Sequence, residues 1–321
     1  MRKLLPLVFI ILVVSCTRKD IIWFVGNQSK QQCKVTAINA DKTGTDDFYL
    51  IKTFDGKGVL THIKAQVGDY YGAKYVFDYD ITYARNKAIF KGSTKAYYWV
   101  LDVQPENPDD PVDPDAPTHP EEDTTVRDLR SFEILLDDKT KYPVEVRVAN
   151  TGESLLQLKY DSRGYLSQVG DFYAKTDERG NLLELLTAPL VEEEHYYGPQ
   201  QLGYWYNYSD RPATKGVTQF YEAPTIFISP YYTLLELLNW GPFQPDRERV
   251  YVLLQHRYAE EYLPSPTMEM QYFNHQYDAS GRLMKYDFEG EDQRQLPYMG
   301  PFMRKSDRII TWQCAGNKPQ P

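Results

Sequence analysis

Apolar and polar residues alternate along much of this chain with a period of two. Phe132, Ile134 and Leu136 are set against Glu133 and Asp137, and Val144, Val146 and Val148 against Glu145 and Arg147. That is the pattern of strands with one buried face and one wet face. Tyr204, Tyr206 and Tyr208 alternate with Trp205 and Asn207, which places a tyrosine ladder on one side of a further strand. Helical spacing is well signalled once. Ser229 is a candidate N-cap, Pro230 the first helical residue, and Tyr231 to Trp240 carries leucines at 234, 235, 237 and 238 before Gly241 and Pro242 stop it. The fold class this predicts is mainly β, with antiparallel meander sheets and one short helix near 230–240.

Four heptads share an aromatic residue or Thr, then Asp, two variable residues, Gly, one variable residue and Leu. They are Phe54 to Leu60, Tyr160 to Leu166, Thr176 to Leu182 and Tyr277 to Leu283. The chemistry is that of a hairpin. The Asp side chain accepts backbone N–H bonds to open the turn, and the Gly supplies the positive φ that returns the chain. The second and third copies start sixteen residues apart, so 155–187 reads as a four-stranded meander.

Pro105, Pro108, Pro111, Pro114, Pro117 and Pro120 recur at every third position, and residues 104–123 hold eight acids without a Lys or Arg. Proline with that period matches the three-residue turn of polyproline II, so this segment predicts a stiff acidic spacer. The resulting organisation is a signal peptide over 1–15, a small β segment over 16–103, the spacer over 104–123 and a larger antiparallel β domain over 124–321. A stiff spacer favours two separate β domains, each keeping one thiol, Cys33 and Cys314. The competing arrangement bridges the two cysteines and forces a single composite sheet.

The chain has 321 residues, with 45 acids against 36 bases and a net charge of -9. Holding nucleic acid is thereby disfavoured. Five His and three Cys, none in a CxxC or HExxH spacing, predict no metal site and no cofactor. There is no GxSxG elbow, phosphate loop or GxGxxG turn, so no catalytic residue is assigned. Glu192, Glu193, Glu194 and His195 form the densest acid and His cluster, but neighbours in a strand point to opposite faces. Asp287, Glu289 and Glu291 predict a strand edge guarded by like charge.

Arg2 and Lys3, the apolar run Leu4 to Val14, then Ser15 and Cys16 follow the layout of an export signal. Val13-Val14-Ser15-Cys16 resembles the lipobox of bacterial lipoproteins, which implies cleavage before Cys16, its acylation and a membrane anchor. Thr17 in place of Asp implies sorting to the outer membrane, with the periplasmic or surface-facing side open. Tyr277-Asp278-Ala279-Ser280-Gly281-Arg282-Leu283 after that lipobox resembles a family of Bacteroidales lipoproteins of unknown function, described as porin-like. The resemblance implies fold and address and carries no activity. Asp123-Thr124-Thr125 resembles the Bacteroidetes O-glycosylation motif, which makes Thr124 a candidate acceptor.

Aromatic rings offer apolar area with a polar tip, so Tyr204, Trp205, Tyr206, Tyr231 and Tyr232 are candidate stacking positions for a ligand. The function expected is a non-enzymatic, outer-membrane-anchored binding or scaffold module, with a glycan or envelope protein as partner. The alternative is a glycan- or peptide-directed hydrolase whose acids converge from separate strands.

Overall fold

The computed structural model describes residues 33–43, 48–68, 73–101, 118–122, 131–187, 200–214, 217, 229–240, 243, 245–258, 267–292 and 302–314. The strands among them are β1 (Cys33–Ile38), β2 (Tyr49–Phe54), β3 (Leu60–Gly68), β4 (Ala73–Ala84), β5 (Lys87–Leu101), β6 (Thr118–Glu122), β7 (Ser131–Leu136), β8 (Pro143–Val148) and β9 (Ser154–Tyr160). They continue as β10 (Leu166–Val169), β11 (Phe172–Thr176), β12 (Leu182–Thr187), β13 (Gln200–Pro212), β14 (Arg247–Tyr258), β15 (Thr267–Tyr277), β16 (Leu283–Asp292) and β17 (Phe302–Cys314). The meander over 155–187 is present as β9 to β12.

Every strand pairing is antiparallel, and β17 returns to pair with β1. β5 is long enough to serve two partners: Lys87 to Lys91 face β7 and Tyr97 to Leu101 face β6. The described strands thus form a closed ring of sixteen staves. Three expectations are corrected by these pairings. The open meander sheets are one barrel. The two separate β domains are one body, because β5 pairs with β7 across the spacer (Phe90 opposite Phe132) and β1 with β17. The spacer ends in a strand, since Thr118 to Glu122 hydrogen-bond to β5; residues 102–117 lie outside the described ones. Backbone pairing of the flanking strands outweighs local proline preference, and closing the ring leaves fewer unpaired edges.

The period of two sorts the side chains by sign. Ile63, Ala65 and Val67 of β3 are buried while His62 and Lys64 face out; Tyr286 and Phe288 of β16 are buried while Asp287 and Glu289 face out. Among the described residues, Tyr173 and Ile309 are the large apolar side chains left exposed, at 57% and 47%. Membrane-spanning barrels show the opposite arrangement, apolar out and polar in.

A ring of this many staves is wide enough to leave a channel unless something fills it. The β13–β14 connection supplies the filling. Its helix α1 (Pro230–Leu238) has every residue from Tyr232 to Leu238 buried, which suits a helix apolar on most of its circumference. Ser229 Oγ accepts the Tyr231 N–H at 3.1 Å, as its N-cap position predicts. The helix stops earlier than Gly241-Pro242 would require, because Asn239 takes the left-handed conformation (φ 57°) and its N–H bonds the Glu236 and Leu235 carbonyls. Tyr231 meets the Phe132 ring at 5.2 Å, Phe132 stacks on Phe90 at 4.6 Å, and Trp240 lies 6.1 Å from Phe90. These contacts join the plug to the wall.

Strand direction alternates round the ring, so hairpins alternate between its two poles. The turns at 54–60, 84–87, 136–143, 160–166, 176–182 and 277–283 all fall at one pole, together with Cys33, Cys314 and both ends of the plug connection. All four heptads therefore turn at the same end of the barrel, here called the turn pole.

Candidate functional site

The four Asp-x-x-Gly turns are alike atom by atom. Oδ1 of Asp55, Asp161, Asp177 and Asp278 accepts the backbone N–H groups two and four residues on, at 2.8–2.9 Å. The glycine N–H bonds the Asp carbonyl, and Gly58, Gly164, Gly180 and Gly281 have φ of 77° to 87°. Asp137 opens a fifth turn at this pole by accepting from Lys139 and Thr140. Hydrogen bonds from the turn backbone hold the Asp137, Asp161 and Asp278 carboxyls below the usual range. Burial pushes Asp177 up, but bonds from Asn181 and the turn backbone outweigh it and its pKa is lowered.

Just inside the turn pole, the plug and wall bring charged groups together in the core. Glu236 of α1 lies 3.8 Å from Arg249 of β14, with both side chains about 5% exposed. Burial pushes the Glu236 carboxyl up to about 7, against the opposing pull of Arg249 and a hydrogen bond from the Tyr232 hydroxyl at 3.4 Å. The Arg249 guanidinium sits 4.9 Å from the Tyr206 ring, and the Tyr208 hydroxyl donates to the Leu182 carbonyl at 2.9 Å. The space enclosed by Tyr208, Tyr232, Glu236, Arg249 and Thr176 is about 10 Å³, room for one water. It can hold a water and exchange a proton; it is too small to take a substrate.

A second buried group lies alongside. The Tyr277 hydroxyl donates to Glu248 Oε1, His275 Nε2 is 4.0 Å from that oxygen, and the Arg211 guanidinium covers the Tyr277 ring at 3.3 Å. Burial lowers the His275 pKa and raises that of Tyr277. Elsewhere in the lumen, burial pulls the Lys52 amine down to about 7. Asn181, fully buried at the end of the third turn, ties the plug to the wall. Its Oδ1 accepts from the Asp246 and Arg247 N–H groups at 2.7 and 3.2 Å, and its Nδ2 donates to Asp177 at 2.7 Å.

The candidate stacking aromatics do not form a solvent-facing platform, and that expectation is corrected. The strand period turns Tyr204 and Tyr206 into the lumen, and α1 carries Tyr232 into the core and Tyr231 against Phe132. Trp205 faces out but lies over Gly203, where an added Cβ would meet its ring. The guarded edge is corrected as well: β16 is paired on both sides, and Asp287 and Glu289 instead meet Asn274 at 2.8 Å and Lys305 at 3.6 Å. Cys33 and Cys314 are disulfide-bonded. Cys16, Thr124 and Glu192 to His195 lie outside the described residues. Among the described residues, no group of three or more His, Cys, Asp or Glu is arranged to hold a metal ion.

No protein-family profile matches the chain, and no curated protein matches it. Among solved structures, a porin-like protein from Bacteroides uniformis superposes with a TM-score of 0.36 at 9% identity, over 88% of this chain and 96% of that one. A superposition that loose carries no argument, and the barrel rests on its own strand pairing.

Proposed function

We propose that this protein is a lipoprotein, anchored to the outer membrane through Cys16, whose plugged barrel serves as a non-enzymatic binding or scaffold module for a glycan or envelope protein. One observation carries the reading: the lumen is packed with apolar side chains and a helix, while Lys64, Lys91, Lys175, Asp287, Glu289 and Lys305 stand on the outer wall. Such a body suits neither conduction nor burial in lipid, so a membrane address requires an anchor outside the barrel. The lipobox residues Val13 to Cys16 supply one.

The test uses the natively expressed protein. Its intact mass is expected to correspond to a chain starting at Cys16 and carrying acyl groups, it partitions into detergent, and it gives no conductance in planar bilayers. Screening it on glycan and envelope-protein arrays then identifies the partner. An unacylated, uncleaved chain or stepwise single-channel currents would overturn the reading.

A further inference from the structure

We propose that the Cys33–Cys314 bridge is a thiol–disulfide exchange site that accepts two electrons from a dithiol, with Arg282 stabilising the sulfur that departs. Such a site adds to the binding role proposed above and works with or without the lipid anchor.

Its position allows access. Cys33 is the first residue of β1 and Cys314 the last of β17, so the bridge is the outermost pair of its seam and lies half-buried at the turn pole. Exchange requires a thiolate to reach one sulfur, and a bridge at the rim is reached without opening the packed lumen.

The guanidinium supplies the chemistry. Arg282 Nη1 lies 2.6 and 2.7 Å from the Cys33 and Cys314 sulfurs. Its Nε and Nη2 are taken by Asp278 Oδ2 at 2.6 and 2.5 Å, and Asp278 Oδ1 is itself fixed by the Ser280 and Arg282 N–H groups at 2.9 Å. The carboxylate thus holds one edge of the guanidinium and aims the other at the sulfurs. Sulfur in a disulfide is a weak acceptor, whereas a thiolate beside an arginine is stabilised, so this donor gains strength as the bond opens. An interaction stronger in the departing state than in the starting one accelerates the step.

The seam survives the chemistry. Val35, Ala37 and Ile38 stay paired with β17, the Asn39 N–H bonds the Ile309 carbonyl at 2.9 Å, and the Asn39 side chain bonds the Ile309 N–H at 2.7 Å and the Asp307 carbonyl at 3.0 Å. Both thiols therefore remain beside Arg282 and can be joined again. In the forward direction a donor thiolate attacks one cysteine sulfur, and the S–S electron pair leaves on the other as a thiolate bonded by Nη1. The second donor thiol, deprotonated, then attacks the mixed disulfide. The donor ends as a disulfide, and its two protons end on Cys33 and Cys314.

The test reacts full-length, oxidised protein with dithiothreitol at neutral pH without oxygen, traps free thiols with iodoacetamide and reads Cys33 and Cys314 by peptide mass spectrometry. The rate is expected to rise in proportion to dithiothreitol and to fall about tenfold in Arg282→Gln, taking roughly two pKa units on the departing thiol and a Brønsted sensitivity of about 0.5. A rate that levels off with dithiothreitol, showing that the bridge reacts only after the barrel opens, or an Arg282→Gln variant as fast as wild type, would overturn the proposal. A second measurement is independent of any loosening of the turn. In Cys33→Ser, the pH profile of Cys314 alkylation is expected to place its pKa at least about one unit below the ordinary thiol value near 8.5, and Arg282→Gln to restore that value. Cys314 titrating at or above the ordinary value with Arg282 in place would equally overturn it.

Discussion

Cys33 and Cys314 lie directly opposite each other across β1 and β17, 281 residues apart in sequence, and the bond between them makes the closure of the ring covalent. Arg282 caps the bridge. Its Nη1 lies 2.6 and 2.7 Å from the two sulfurs, and its Nε is held at 2.6 Å by Asp278 of the fourth turn. Cross-linking so long a loop restricts the unfolded chain by up to about 5 kcal/mol on entropic reasoning. The Cys33→Ala/Cys314→Ala variant is expected to lose much of that, read as a lower urea midpoint. A wild-type midpoint that does not respond to reductant would contradict it.

Glu236 predicts an unusual pH response. Its folded pKa, raised by burial to about 7, lies above the unfolded value near 4.3, so the unfolded state binds fewer protons between these limits. The stability it contributes is fully present below about pH 4 and is lost as pH rises through 7, by about 4 kcal/mol. The turn aspartates act in the opposite sense and at lower pH, because their folded pKa values are depressed. Chemical denaturation of wild type between pH 5 and 8 is expected to show the loss. The Glu236→Gln variant is expected to lack that slope, and an unchanged slope would assign it elsewhere.

The strands and the turn chemistry were legible in the sequence because both are local. Phe132, Ile134 and Leu136 are buried as their alternation predicts, and each of the four Asp side chains makes the bonds its motif implies. Closure was not legible, since it depends on which distant strands pair, and the proline-rich segment pointed toward separation. The buried polar groups were missed for a related reason. Glu236 stands among four leucines of a short helix, and a lone acid there looks like the wet face of an amphipathic helix until the helix is found inside the barrel. Arg249 and Asn181 meet the plug only after the ring has formed.

The shared glycine is predicted to matter unequally among the turns. At Gly180, φ is +87° and an added Cβ would sit 2.7 Å from the Tyr165 ring; at Gly281, φ is +77° and the space is open. Gly281→Ala therefore pays for left-handed backbone alone, about 1 kcal/mol. Gly180→Ala is expected to cost at least 1 kcal/mol more, as overpacking adds to the backbone strain. Thermal or urea unfolding measures both. Adding Tyr165→Ala to Gly180→Ala should recover part of the excess, and a strictly additive double variant would show that the ring is not the cause.

Asn181 offers a way to loosen the plug without touching α1. It is the residue at which a turn of the wall bonds the returning plug segment, and the partners of its Oδ1 are the Asp246 and Arg247 backbone N–H groups. Asn181→Ala removes the acceptor of those two half-buried groups, at a cost of about 1–3 kcal/mol. The amides of Asp246 and Arg247 should then exchange faster with solvent, while those of β3 and β4 across the barrel keep their protection. Asn181→Asp separates the two halves of the tie. It retains an acceptor for the plug but sets a carboxylate against Asp177, 2.7 Å from the replaced Nδ2. The Asp variant is therefore expected to destabilise the turn as pH rises above the carboxylate range, with exchange at Asp246 less affected than in the Ala variant. Equal exchange at Asp246 in both variants would mean that the Asn181 acceptor does not hold the plug.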